Sequence, residues 1–164
     1  MNTKIVLFLL IICTIKVSAQ SNIELNIENL RTDTDSLFVQ FSFANTGEKI
    51  IKLYKPESQD ICYGIVRILI KDIQGTKYQI MPCSEIIDLD AIIFSCKNSL
   101  YLAPDEKFIK KFRFSLKDAT PFLPKGEELE AVMEINLKNV SFEGDIGELI
   151  KCNFKSKNKI KFKL

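Results

Sequence analysis

Residues 37–48, LFVQFSFANTGE, decide how the chain is read. Leu37, Val39, Phe41 and Phe43 take every second position and alternate with Gln40, Ser42 and Ala44. Successive side chains of a strand point to opposite faces, so a period of two places one apolar face on a core and one polar face in water. Asn45-Thr46-Gly47-Glu48 then supplies residues that tolerate left-handed backbone, and it predicts a hairpin. The returning strand runs through Ile51 and Leu53 to Pro56, which lacks the N–H that a central ladder requires.

The same period extends outward in both directions. Upstream, Ile23, Leu25 and Ile27 alternate with Glu24, Asn26 and Glu28, and Arg31 to Ser36 (RTDTDS) offers turn formers. Downstream, Tyr63 to Lys71 (YGIVRILIK) is apolar at nearly every position and reads as a central strand, turned by Asp72-Ile73-Gln74-Gly75 into a hairpin with Thr76 to Met81. Ser84 to Ser95 (SEIIDLDAIIFS) fits a short helix capped by Ser84 or an irregular crossover, and a connection is favoured over a strand. Leu100 and Leu102 lead into the turn Ala103-Pro104-Asp105-Glu106. Phe108, Lys110, Phe112, Phe114 and Leu116 follow, with Lys110 breaking the apolar series. A loop from Asp118 to Glu128 precedes Leu129, Ala131, Met133, Ile135 and Leu137, and a last strand pair is expected at Leu149–Phe154 and Lys159–Leu164.

Short strands separated by turns, with at most one short helix, imply an all-β fold: a two-sheet antiparallel sandwich. Residues 20–164 suffice for it, because a chain of that size buries roughly 68% of the surface it exposes when unfolded. No repeat, linker or low-complexity stretch divides this region, so it is expected to form one domain.

Residues 1–19 read as a cleaved signal peptide. Lys4 gives a positive start, Ile5 to Ile12 form an apolar run too short to span a bilayer, and Val17-Ser18-Ala19 offers a peptidase site before Gln20. The expected localisation is periplasmic or secreted, with no membrane span after cleavage. The chain has 23 basic and 21 acidic residues, and two of the basic ones, Lys4 and Lys16, leave with the leader. The remainder is neutral, so no global field draws it to nucleic acid, which is not an expected partner.

Residue inventory narrows the chemistry further. The chain has no histidine, which removes Ser-His and Cys-His catalysis and the commonest zinc ligand. Its six glycines lie singly, without a phosphate-binding loop, and no cofactor is expected. Cys62, Cys83, Cys96 and Cys152 remain after the leader, an even number that permits two disulfides in an oxidising compartment; Cys83 with Cys96 is the first pairing expected, because it would close a short loop. Asp33 with Asp35, and Asp88 with Asp90, read as solvated turn acids rather than calcium ligands, since no complete loop of acids surrounds either pair. Tyr54, Tyr63, Tyr78 and Tyr101 fall near strand ends, where a ring can be offered to a partner. Lys155, Lys157, Lys159, Lys161 and Lys163 occupy alternate positions near the C-terminus and make one lysine face. That face suits an anionic partner or protects an edge strand from pairing with another chain.

The order of "FSFANTGEKIIKLYKP", "VRILIKDIQGTKY", "LYLAPDEKFIKKFRFSL" and "SKNKIKFKL" resembles the small immunoglobulin-like β-sandwich domains of exported bacterial proteins. Asp105 stands where the turn pattern of those domains has glycine. The resemblance implies a fold and transfers no catalytic residue. The function expected is that of a non-enzymatic binding module for a protein or surface glycan, contacted through its loops. The alternatives are a secreted protease inhibitor, which would insert loops from one end of the sandwich into an enzyme cleft, with Thr46–Lys49, Asp72–Thr76 and Pro121–Glu127 as the candidates, and a carbohydrate-active enzyme with paired carboxylates.

Overall fold

The computed structural model describes residues 22–80, 93–117, 119–120, 122–138, 140–143 and 149–164. The expected leader lies outside these residues, as does the expected connection at 84–95 apart from its last three positions, which are strand.

In chain order the strands are β1 (Ile23–Asp33), β2 (Ser36–Asn45), β3 (Ile51–Tyr54), β4 (Val66–Lys71), β5 (Lys77–Ile80), β6 (Ile93–Ser95) and β7 (Ser99–Leu102). They continue as β8 (Lys107–Ser115), β9 (Ala119–Thr120), β10 (Glu128–Asn136), β11 (Ser141–Glu143), β12 (Asn153–Lys155) and β13 (Ile160–Lys163). One sheet has the order β1-β2-β8. A larger one runs β12-β10-β4-β5-β9, with β13 also paired to β10; both are antiparallel throughout. Two small pairs complete the fold, β3 with β7 antiparallel and β6 with β11 parallel.

The apolar alternation predicts the core well. Leu37, Val39, Phe41 and Phe43 are fully buried, and Phe112 and Phe114 join them from β8. Val66, Ile68 and Ile70 of β4 and Leu129, Ala131, Met133 and Ile135 of β10 form the facing layer. The Phe43 and Phe154 rings meet edge to face at 5.1 Å and link the two sheets. The molecule is thus an all-β sandwich.

Several expectations about connections are corrected. Asn45-Thr46-Gly47-Glu48 is not a hairpin: β2 pairs with β1 and β8, whereas β3 pairs with β7, so this turn carries the chain from one sheet to another. The reason lies in the Asn45 side chain, whose amide N–H groups donate to the carbonyls of Lys49 and Leu102 while its oxygen accepts from Gly47 N–H. Asn45 also exchanges backbone hydrogen bonds with Asp105 and Glu106. The Asn45 turn and the Pro104 turn therefore form one unit. Asp105 adopts φ 61°, the left-handed conformation for which glycine is the usual residue.

The first turn is also tighter than RTDTDS suggested. β1 continues to Asp33, which pairs with Ser36, and only Thr34 and Asp35 remain between the strands. The hairpin at Asp72–Gly75 forms as expected, with Gly75 at φ 88°.

The two C-terminal strands do not pair with each other. Both lie along β10, β12 at Glu134–Asn136 and β13 at Glu128–Ala131. Between them the chain steps across to β1. Ser156 Oγ accepts from Met133 N–H, Lys157 N–H donates to Leu25 O, and the Asn158 side chain accepts from Ile27 N–H at 2.8 Å and donates to Ile27 O at 2.6 Å. One amide side chain thus replaces a peptide unit and joins the free edge of β1 to the second sheet. Asn158→Ala leaves both Ile27 groups without this partner in a part-buried seam. The expected loss is about 2 kcal/mol in chemical denaturation, against a near-neutral Lys155→Ala.

Candidate binding surfaces

All five C-terminal lysines are exposed, but the step from β12 across to β1 breaks the alternation, and Lys157 lies at Glu24 of the smaller sheet while Lys159 and Lys161 lie along β10 of the larger one. Acids meet them there. Lys159 pairs with Glu130 at 2.9 Å, Lys161 with Glu128 at 2.7 Å, and Lys157 with Glu24. In register, Lys155 stands opposite Glu134 and Lys163 opposite Glu128. The Lys161 ammonium bonded to Glu128 holds that carboxyl below the usual carboxylate range and raises the lysine in turn. These contacts match the charge-guarded edge strand, since β12 and β13 close one side of the large sheet. The glutamates responsible lie on β10 and β1, far away in sequence, and alternation within the last ten residues carries no signal of them.

Among the cysteines, Cys152 is buried in the core and Cys62, at the end of a short 3-10 turn (Ser58–Ile61), is disulfide-bonded. Cys96 opens a second 3-10 turn, Cys96–Asn98. Cys83 lies outside the described residues, and with it the expected Cys83–Cys96 pairing.

The three candidate loops fall at two ends of the sandwich. Asp72–Thr76 leaves the end of β4, and the loop before β10 enters at the same end, since Lys71 pairs with Glu130 and Gly126 N–H donates to Leu164 O. Thr46–Lys49 sits at the other end, beside Asn22. At the first end two large apolar side chains stand in water: Ile73 is 75% exposed and Phe122 89%. Phe122 borders a cleft of about 540 Å³, formed with the β1–β2 turn (Thr32–Asp35), Leu116, Leu123 and Leu164.

The outward face of the β1-β2-β8 sheet was not legible from the alternation. Ile23, Leu25 and Ile27 extrapolate to inward-pointing residues at 29 and 31. A bulge at Glu28 shifts the register, so that Ile27 opposes Phe41 but Asn29 opposes Gln40. Asn29 and Arg31 therefore face out, and both are exposed. The signal was the three-residue step from Ile27 to the next apolar position, Leu30.

A polar network lies beneath the opposite side of β8. Asp60 is fully buried. It accepts from Tyr54 Oη at 3.2 Å and from Glu57 N–H at 2.6 Å, and burial pushes its carboxyl above the usual range. Tyr54 itself is 2% exposed, packed against the rings of Phe94 and Phe142, so it offers no ring to a partner as its place near a strand end suggested. Lys110, the interruption in the β8 series, pairs with Glu57 and lies 5.8 Å from the Phe112 ring centre. Of the turn acids, Asp33 accepts from Thr34 N–H and Asp35 pairs with Lys117; Asp88 and Asp90 lie outside the described residues. Among the described residues no group of His, Cys, Asp or Glu is placed to hold a metal ion, and no helix is long and apolar enough to cross a membrane.

Fold and surfaces together define a class, an all-β sandwich with exposed apolar loops at one end and a charged sheet face. No family model and no curated protein sequence matches the chain. Solved structures similar to it include a β-glucosidase from Kluyveromyces marxianus, with 15% identity over 88% of this chain and 15% of that one, at a TM-score of 0.38. Another is β-glucosidase 3B from Thermotoga neapolitana, with 15% identity over 88% of this chain and 17% of that one, also at 0.38. The chain spans about one sixth of the length of those enzymes.

Proposed function

We propose that residues 20–164 form an exported, non-enzymatic binding module of immunoglobulin-like architecture, which takes a protein or surface glycan at the end built by Asp72–Thr76, the loop before β10 and the β1–β2 turn. The observation that carries this reading is Phe122, 89% exposed at the rim of a cleft of about 540 Å³. A large aromatic left in water beside a cleft forfeits the burial that a partner would restore, and aromatic anchors of this kind dominate binding energies. Ile73 adds a second apolar contact at the same end. The leader-like sequence of residues 1–19 and the four cysteines after it support export, and disulfides among those cysteines are part of the proposal.

The test is retention of an envelope component on the immobilised protein. Wild type is expected to retain one protein or glycan, and Ile73→Ser/Phe122→Ser to weaken retention on the order of tenfold or more, with an unchanged melting temperature. Equal retention by both would remove this end as the site. Mass spectrometry of the native protein under non-reducing conditions is expected to show Gln20 as its first residue and no free thiol at Cys62; an intact Met1 would refute export.

A further inference from the structure

The outward face of the β1-β2-β8 sheet holds three cations, Arg31, Lys111 and Arg113, that pair with no carboxylate among the described residues. Arg31, Phe38 and Arg113 oppose one another across the three strands, and Asn29, Gln40 and Lys111 form the adjacent row. The guanidinium carbons of Arg31 and Arg113 lie 4.7 Å and 5.7 Å from the Phe38 ring centre, and Arg113 Nε also donates to Ser36 Oγ at 2.9 Å. Contacts of this kind orient both guanidinium groups before any ligand arrives. Seven lysines elsewhere pair with carboxylates, whereas none of Arg31, Lys111 and Arg113 does so among the described residues. The acids flanking this face are engaged, Glu28 by Lys107 and Ser42 and Asp33 by the Thr34 N–H. A depression of about 190 Å³ lies among Asn29, Arg31, Phe38, Gln40 and Lys111, while Arg113, on the far side of Phe38, borders a neighbouring cleft with Ser36 and Lys117.

The geometry points to a binding site for an acidic, carboxylate-bearing polysaccharide, with Arg31, Arg113 and Lys111 taking its carboxylates and Asn29 and Gln40 its hydroxyls. A guanidinium presents a planar fork that matches a carboxylate, and a side-chain amide both donates and accepts, as a hydroxyl requires. The backbones of the two arginines stand two strand spacings apart, about 10 Å, and their guanidinium groups both reach the one Phe38 ring, so a single chain with charges on successive units engages both. An acidic peptide fits this surface less well. Extended peptides dock by adding a strand at an edge, but this is a sheet face, and Asn158 occupies part of the β1 edge. Recognition here rests on side chains alone.

The test is calorimetric titration of the full chain with polygalacturonate oligomers at low ionic strength. Binding is expected, and Arg31→Gln/Arg113→Gln is expected to weaken it on the order of tenfold or more and to flatten its salt dependence, with an unchanged circular dichroism spectrum. Arg31→Lys/Arg113→Lys, which keeps the charge and loses the fork, is expected to weaken it several-fold. Lys155→Gln/Lys163→Gln and Ile73→Ser/Phe122→Ser are expected to bind as wild type, which separates this site from the loop end. No binding by wild type would overturn the proposal. So would full affinity in the arginine-to-lysine variant, an equal loss in the Lys155/Lys163 variant, or equally tight binding of dextran sulfate or poly-L-glutamate of matched charge.

Discussion

Phe41→Ala is expected to lower stability by about 4 kcal/mol and the melting temperature by on the order of 10 °C. Phe41 lies on the middle strand of its sheet and is fully buried. Its ring stacks on Phe112 at 5.3 Å and 6°, meets Phe43 at 5.7 Å and Phe108 at 6.5 Å, and so joins two strands of one sheet to the interior. Alanine removes the ring and leaves a void bounded by other rigid rings, which relax into it poorly. Phe41→Leu keeps most of the volume and is expected to recover roughly half of the loss. Equilibrium denaturation of the three proteins measures this directly, and a loss below about 1.5 kcal/mol in the alanine variant would show that this cluster is not the centre of the core.

Asp60→Ala is expected to cost about 3 kcal/mol, because the Tyr54 hydroxyl and the Glu57 N–H would both be left in a buried site without their acceptor. The charge gives the pair a second, more diagnostic behaviour. Burial raises the Asp60 carboxyl in the folded protein, so between its ordinary value of 3.8 and the raised value the folded state holds a proton that the unfolded state has released. That contribution to stability is present below pH 3.8 and is lost as pH rises through the folded value. Glu28 and Glu128 work in the opposite sense, since their lysine partners lower them. The informative quantity is therefore the stability of wild type minus that of Asp60→Asn. This difference is expected to fall as pH rises from 4 to 7; a rising difference would mean that Asp60 is stabilised as the anion.

How far the sequence carried depends on the range of the interaction concerned. Alternation at Leu37–Phe43 and Leu129–Ile135 placed the core residues, because facing is a property of the strand itself. Asn45-Thr46-Gly47 was legible as a turn but not as a crossover, since its direction is set by Asn45 binding Leu102, 57 positions away. The cation face was missed because one extra residue at Glu28 reverses which side chains of β1 reach water. Tyr54 looked available because it ends a strand, yet Phe94 and Phe142 cover it from distant segments.

The amino-acid order by itself determined that this protein is a β-sheet sandwich, which residues fill its interior, and that histidine-dependent chemistry is closed to it, because side-chain inventory and period-two facing are local properties. Tertiary structure alone decided that Lys157, Lys159 and Lys161 are met by glutamates while Arg31 and Arg113 pair with no carboxylate among the described residues. Charge balance at a surface depends on which strands lie side by side, and strand adjacency is fixed by the whole chain collapsing onto a common core.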